Sequence, residues 1–416
     1  MPAAAETETR RGPSSRRVLF LLSIAELLAM SLWFTGTAVL PQVSKLWNTS
    51  DLALASWLTV AVQIGFALGA ITFALFNVPD VFSPITVLVV SSIAAAAANA
   101  AFAYSAADPL PSILLRGATG FFLAGVYPTG MKIIAGWFQK GRGLALGIMI
   151  GALTLGSALP HGVNSIGGIP WKSVVLAGSG FALLAAAIVA LAVREGPYAM
   201  PQSRLDLSQV WEIARNKRLR LANLGYLGHM WELYAMWGWI AVIIGASSGW
   251  PRLRYEAWTA AAIGIGLIGC VWAGAASDRL QHSADSVRIA QRARVTIVAM
   301  LVSATCCVAA ALVFHRPMLL VIVAMVWGIA VIADSAQFSA IISEVAEKSY
   351  IGTALTLQTA LGFLLTAGAI RSIAAIATRF GWQWALACMA VGPLLGVWAM
   401  SGLLSKQHPE SRALSG

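Results

Sequence analysis

Twelve apolar runs divide this chain, starting near Val18, Ala53, Pro84, Pro111, Gly143, Ser173, Leu221, Glu256, Val295, Pro317, Ile351 and Gln383. Each approaches the roughly 20 residues that cross a bilayer as a helix. Within hydrocarbon every backbone N–H and C=O must find a partner inside the protein, which for segments of this length means helices. Composition agrees: 58% of residues are hydrophobic and 11% charged, with a mean hydropathy of +0.77. An ordinary soluble domain carries about 25% charged residues. The expected fold class is an all-α membrane protein of twelve transmembrane helices.

Six runs lie on each side of a polar stretch, Arg194 to Arg220. Residues 1–193 and 221–416 are therefore expected to form two six-helix bundles, joined by a basic amphipathic linker at 194–220 on the membrane surface. Orientation follows from charge. With the N-terminus inside, nineteen of the 28 Lys and Arg residues fall in inner stretches, six in outer loops and three within spans. That bias places both termini in the cytoplasm. It also accounts for the net charge of +11 without nucleic acid as a partner. The first apolar run contains Glu26 and lacks a small-residue cleavage site, so it reads as an uncleaved helix. The four cysteines (Cys270, Cys306, Cys307, Cys388) lie in apolar runs without metal-ligand spacing and read as packing residues.

The two halves share a pattern. Glu26-Leu27-Leu28-Ala29-Met30-Ser31-Leu32-Trp33 and Glu232-Leu233-Tyr234-Ala235-Met236-Trp237-Gly238-Trp239 both read E-L-x-A-M-x-x-W, 206 residues apart. At 100° per residue the Met and Trp fall within about 40° of the Glu. This predicts an acid–thioether–indole stripe in each half, both facing one shared cavity: Glu26, Met30 and Trp33 opposite Glu232, Met236 and Trp239. An acid inside a span is costly and marks a functional position. Asp334, within Asp334-Ser335-Ala336-Gln337-Phe338-Ser339, is the third. Arg116, in the outer half of the fourth span, needs a partner, and Glu26 is the nearest plausible acid. Tyr127, Tyr234, Gln337 and Gln358 complete the expected cavity lining. Lys132 and Arg371 read as snorkelling cations, and His161 as an interfacial residue. Gly264-Ile265-Gly266-Leu267-Ile268-Gly269 matches G-x-G-x-x-G but follows no strand, so it reads as a packing face rather than a dinucleotide site.

Several of these pieces, in order, resemble the major facilitator superfamily over essentially the whole chain. Arg116-xxx-Gly120 resembles its helix-4 motif. Gly147-xxx-Gly151 followed by Gly156 resembles its helix-5 motif, and Gly274-Ala275-Ala276-Ser277-Asp278-Arg279 its cytoplasmic-gate motif G-x-x-x-D-R. In the first half only Asp80 of that gate is present, with no arginine after it. The resemblance implies two pseudo-symmetric bundles, a midplane site and alternating access. It implies proton coupling through Glu26 and Arg116, to which the mid-membrane acids Glu232 and Asp334 are added on their position alone, and a cytoplasmic gate is expected at Asp80, Arg142, Gly274, Asp278 and Arg279. Helix packing would run through Gly120, Gly147, Gly151 and Gly156.

The expected function is a secondary transporter, not an enzyme, moving a small organic solute with protons and working as a monomer without a cofactor. Its expected location is the inner membrane of a bacterium. Acids beside indoles suit organic cations and aromatic solutes. A second expectation is anion or carboxylate uptake. Trp137 to Gly147 is similar to the helix 4–5 turn of nitrate and oxalate/formate porters, although the nitrate family's glycine–asparagine signature is missing. A non-transporting sensor lacks any soluble domain to relay a signal. Copper binding through His229, Met230 and Met236 is opposed by the two methionines' different helix faces.

Overall fold

In a computed structural model of the chain, residues 14–198, 206–279, 283, 285–347 and 349–404 are described. Arg10, Arg11 and the end of the chain lie outside them. Among the described residues there is no strand, and eleven helices are long and apolar enough to cross a membrane. These are α2 (Leu52–Leu75), α3 (Pro84–Ser105), α4 (Pro109–Ala135), α5 (Arg142–Ile166), α6 (Trp171–Ala192), α7 (Lys217–Ser248), α8 (Arg252–Arg279), α9 (Val287–Leu312), α10 (Pro317–Val345), α11 (Ile351–Phe380) and α12 (Trp382–Leu404). The first, α1 (Ser15–Met30), is shorter, because the expected first span is broken.

The break has a local cause. Ser31 Oγ donates to the Leu28 carbonyl at 2.7 Å and Thr35 Oγ1 to that of Leu32 at 2.9 Å. Hydroxyls that take backbone carbonyls compete with the helical ladder. Residues 31–34 turn with i→i−3 bonds at Leu32 and Trp33, and short helices at Thr35–Ala38 and Leu40–Leu46 carry the chain onward. The carbonyls of Leu32 and Trp33 are thereby left without helical N–H partners.

The repeat seen in the sequence reappears as packing. In the first half α1 packs on α5 and α6, α2 on α4, and α3 on α4 and α6. Six helices later, α7 packs on α11 and α12, α8 on α10, and α9 on α10 and α12. The halves meet through α5 against α8 and α2 against α11, which are also six-helix counterparts. Small residues permit the first of these seams. A β-carbon on Gly147 would stand 2.6 Å from the Cys270 carbonyl oxygen, and one on Gly143 2.7 Å from that of Gly274. Backbones in lipid approach this closely only where side chains are absent. Gly151 likewise faces Leu267 of α8, whereas Gly120 packs on Val62 of α2 and Gly156 on Leu27 and Met30 of α1. The four glycines thus serve one seam between halves and two contacts within a half.

Between α6 and α7 the described residues stay close to the helix ends. Trp137 Nε1 donates to Arg194 O at 2.8 Å, Tyr198 N to Gly136 O at 3.1 Å, and Ser83 Oγ to Glu195 Oε1 at 2.6 Å. Further on, Asp206 N donates to Thr353 Oγ1 of α11 at 2.9 Å. Bonds from Ser208 hold the exposed Asp206 carboxyl below its usual range. The expected amphipathic linker is here a six-residue helix, Val210–Arg215, with Trp211 exposed under the Arg215 guanidinium.

Overpacking tests the α5–α8 seam. Gly147→Val should lower the melting temperature of the purified protein, with a loss of about 1–3 kcal/mol. Gly180→Ala, whose β-carbon meets nothing within 4 Å, should leave it unchanged. Equal melting temperatures for the two variants would mean that the seam is not close-packed.

Candidate functional site

Arg116 is fully buried, and all five of its N–H donors are used. Nη2 donates to the carbonyls of Leu32 at 3.0 Å and Trp33 at 2.6 Å. Nη1 donates to Asn99 Oδ1 at 2.8 Å and Thr35 Oγ1 at 3.1 Å, and Nε to the Leu58 carbonyl at 3.3 Å. Two of these five bonds go to the carbonyls freed by the break in the first span. A guanidinium placed there also answers the negative end of the α1 dipole. The expected Glu26–Arg116 pair is not formed. Glu26 lies more than a turn before the break, on the far side of α4's own interruption at residues 124–126.

Glu26 instead lies against α4 and α5. A β-carbon on Gly130 would be 2.9 Å from Glu26 Oε2 and 3.3 Å from Met149 Cε. The carboxyl is buried, with 1% exposure, and neither oxygen has a hydrogen-bond partner among the described residues. Nearby Tyr127 opens the second segment of α4, Tyr127–Ala135, and is half-buried.

The counterpart acid is enclosed within its own half. Glu232 Oε1 accepts from Trp327 Nε1 at 2.5 Å, Ser303 Oγ at 2.6 Å and Cys307 Sγ at 3.0 Å, on α9 and α10. Asp334 sits where α10 is interrupted, between Pro317–Ala333 and Ser335–Val345. His229 Nδ1 stands 2.9 Å from Asp334 Oδ1, an ion-pair distance whose alignment falls outside that of a hydrogen bond. The two stripes thus do not face one cavity. Tyr234, two residues after Glu232, points about 200° away from it on the helix. It is Tyr234 that reaches the seam. Trp239 turns into its own half, donating to Ile370 O at 3.0 Å and lying 5.7 Å from the Trp382 ring. Met30 and Met236 are fully buried.

What does meet between the halves is an aromatic cluster. Trp33 lies 5.6 Å from Tyr234 and 5.4 Å from Phe363, Phe66 lies 4.3 Å from Phe363, and Phe34 lies 5.9 Å from Trp237. Rings from the first span, α2, α7 and α11 close the middle of the seam. Two of these rings, Trp33 and Trp237, have buried indole N–H groups without partners among the described residues, as have the side-chain amides of Gln63 on α2 and Gln358 on α11. Buried polar groups are normally bonded, so an unpaired set beside a two-sided aromatic cluster has the chemistry of a ligand site. Gln337, expected here, instead accepts from Arg292 Nη1 at 2.7 Å and donates to Ala273 O at 3.3 Å, tying α8, α9 and α10 together.

Each mouth of the seam has its own polar contacts. At the face carrying the α4–α5 turn, Asp278 accepts the backbone N–H of Gly143 at 2.7 Å and of Leu144 at 2.8 Å. A carboxylate of one half thus caps the positive end of a helix of the other. Arg142 bonds Phe138 O within its own turn, and Arg279 is exposed. In the first half Asp80 pairs with Lys132, so a lysine on α4 supplies the cation that no following arginine provides, and Lys132 is no lone snorkelling cation. At the opposite face Arg371 stacks on Trp57 at 4.7 Å and reaches Ala53 O, joining α11 to α2 rather than snorkelling alone. His161 is fully buried there, 2.6 Å from Glu256 of α8, which corrects its reading as an interfacial residue.

Sequence reasoning missed Asn99, Phe34, Phe66, Phe363 and Gln63. Asn99 left a signal, as the one polar residue in Ala94-Ala95-Ala96-Ala97-Ala98-Asn99-Ala100-Ala101. The aromatic residues left none, because an apolar ring looks the same whether it faces lipid or the seam.

The chain was compared with known proteins. It superposes on a bacterial homolog of the human lysosomal transporter Spinster, in its inward-facing unoccupied form, with a TM-score of 0.70 at 15% identity over 96% of this chain and 99% of that one. The inward-facing occupied form matches with a TM-score of 0.67 at 16% identity, over 94% and 97%. No curated protein sequence matches the chain. The Major Facilitator Superfamily model matches residues 21–370. With that match over most of its length, an all-helical fold and the six-helix correspondence of its packing, the chain is an integral membrane protein that belongs to the major facilitator superfamily.

Proposed function

We propose that the protein is a proton-coupled secondary transporter of small organic solutes, with twelve crossings, both termini cytoplasmic and Glu26 as its principal proton carrier. The observation that carries this reading is the state of Glu26. Arg116, Glu232 and Glu256 each have bonded partners and Asp334 lies 2.9 Å from His229, whereas both oxygens of Glu26 are buried with no hydrogen-bond partner among the described residues. A carboxyl group keeps its proton in a dry pocket and gives it up beside water or a cation. Glu26 lies on the first span, one end of whose break is held by Arg116 while Trp33 and Phe34 enter the seam. Movement at the seam would therefore change the surroundings of Glu26, which is what linking a proton to a solute requires.

The aromatic cluster supports the solute side. Six rings from two halves offer stacking surface, and rings attract organic cations as well as aromatic neutrals. Carboxylate uptake through Arg116 is less well supported, since all five donors are already bonded. Arg116 acts here as a positioning residue for the broken span.

Liposomes holding the purified protein, with a pH-sensitive dye inside, test the coupling. Lipophilic cations, aromatic neutrals and carboxylates are supplied in turn. Wild-type protein should move protons with at least one solute of the first two classes. Glu26→Gln should lower accumulation against a gradient about tenfold or more while solute exchange persists. Undiminished proton movement in that variant would remove Glu26 from the mechanism.

A second measurement separates the roles of Glu26 and Arg116. Arg116→Lys loses the five-donor fork and should cost about 2 kcal/mol or more in stability, read as a lower melting temperature. Glu26→Gln should melt with the wild type. An Arg116→Lys protein of normal melting temperature that fails only with carboxylates would instead make Arg116 an anion site.

A further inference from the structure

Apart from the aromatic cluster and from Glu26, the α5–α8 seam contains a second buried group of charges. His161 and Asn164 come from α5, Arg252 and Glu256 from α8, and the Ala38 carbonyl from the short helix after the break in the first span. His161 Nδ1 and Glu256 Oε2 are 2.6 Å apart, with side-chain exposures of 0% and 2%. Glu256 Oε1 lies 3.4 Å from both Arg252 Nε and Asn164 Nδ2. Asn164 Nδ2 and Arg252 Nη2 both donate to Ala38 O at 2.7 Å. Every one of these bonds except Arg252–Glu256 and Asn164–Ala38 joins the first half of the chain to the second.

The placement is unusual on energetic grounds. A buried charge pair contributes little net stability over apolar packing, because desolvation offsets the attraction, yet removing one partner is strongly unfavourable. A seam meant only to stay shut would be built more cheaply from the glycine packing found at Gly147 and Gly151. Groups of this kind suit a contact that has two states. Closed, the carboxylate is answered by imidazole, guanidinium and amide. Open, water answers all of them, so both states are tolerable and half-broken ones are not. Arg252, with 27% side-chain exposure, is the member through which water would first enter.

We infer that His161, Asn164, Arg252 and Glu256, with the Ala38 carbonyl, form the external gate of the transport path, a latch that must break for the seam to open to the outside. This rests on the proposed orientation, which puts this face outside. The latch works against the Asp278 cap on α5 at the opposite face. One helix, α5, carries a contact for each gate, at Gly143–Leu144 and at His161–Asn164, about 20 residues or 30 Å apart along its axis. Rocking of the halves about the glycine contacts between them would trade one set for the other.

Spin-label distances test the assignment. With the four cysteines replaced by serine, one pair of labels is placed on the outer loops (Ala107→Cys and His315→Cys) and another at the opposite face (Lys140→Cys and Ser349→Cys), all exposed positions. In proteoliposomes, Glu256→Gln and Arg252→Ala should each raise the ratio of long to short outer distances about tenfold or more, the scale of one lost charge-assisted bond. The double variant should open no further than the more open single one, since the residues bond as one unit. The distances at the opposite face should keep a single sharp component. Outer distances that stay unchanged in both variants would overturn the latch. So would broadening at both faces, which would mean that the group holds the fold together rather than the outer seam. The readout needs no solute, so it stands apart from whether Glu26 couples protons.

Discussion

A charge inside hydrocarbon must be answered by the protein itself, and this chain is organised by how each of its buried charges is answered. Arg116 takes the carbonyls released where the first span breaks, so the cation and the break stabilise one another. Without the break the guanidinium would face a closed helical ladder. Without the guanidinium the Trp33 carbonyl, just past the end of α1, would lose its partner and that of Leu32 would keep only the Thr35 hydroxyl. That bond set in turn places Trp33 and Phe34 at the seam, where they meet Tyr234, Trp237 and Phe363.

The two halves keep the same packing plan but have diverged in chemistry. Glu26 and Glu232 occupy equivalent positions of the repeat, yet among the described residues one has no hydrogen-bond partner and the other accepts three donors within its half. A duplicated fold needs equivalent helix contacts to stay packed, and these are preserved. It does not need equivalent polar partners, and a transporter gains from two acids that behave differently. Divergence shows too at the face carrying the α4–α5 turn: Asp278 caps a helix of the other half, whereas Asp80 is held by Lys132 within its own.

Much of the fold was legible because membrane burial leaves a strong mark on sequence. Apolar runs of spanning length follow from the cost of placing charge or bare backbone in lipid. The glycines of α5 were readable as packing residues, but their three different partners were not. Spacing along a helix shows which residues share a face and says nothing about what that face meets. The candidate site was legible in part. Trp33 and Tyr234 meet at the seam, while Gln337 and Trp239 bond within their own half. Helical periodicity carried from Glu26 to Trp33 across a turn that ends the helix, so the two no longer share a face.

By itself the sequence determined that the chain is helical, lies in a membrane, repeats after half its length and buries several acids with an arginine. These are properties of composition and order, enforced by the solvent. Only the tertiary structure decided who partners whom. Arg116 found carbonyls rather than Glu26, His161 found Glu256, and Lys132 found Asp80, because a buried charge takes whichever partner the packed helices bring within about 3 Å. That distance depends on helix rotation and breakage, which are set by contacts between helices far apart in the chain.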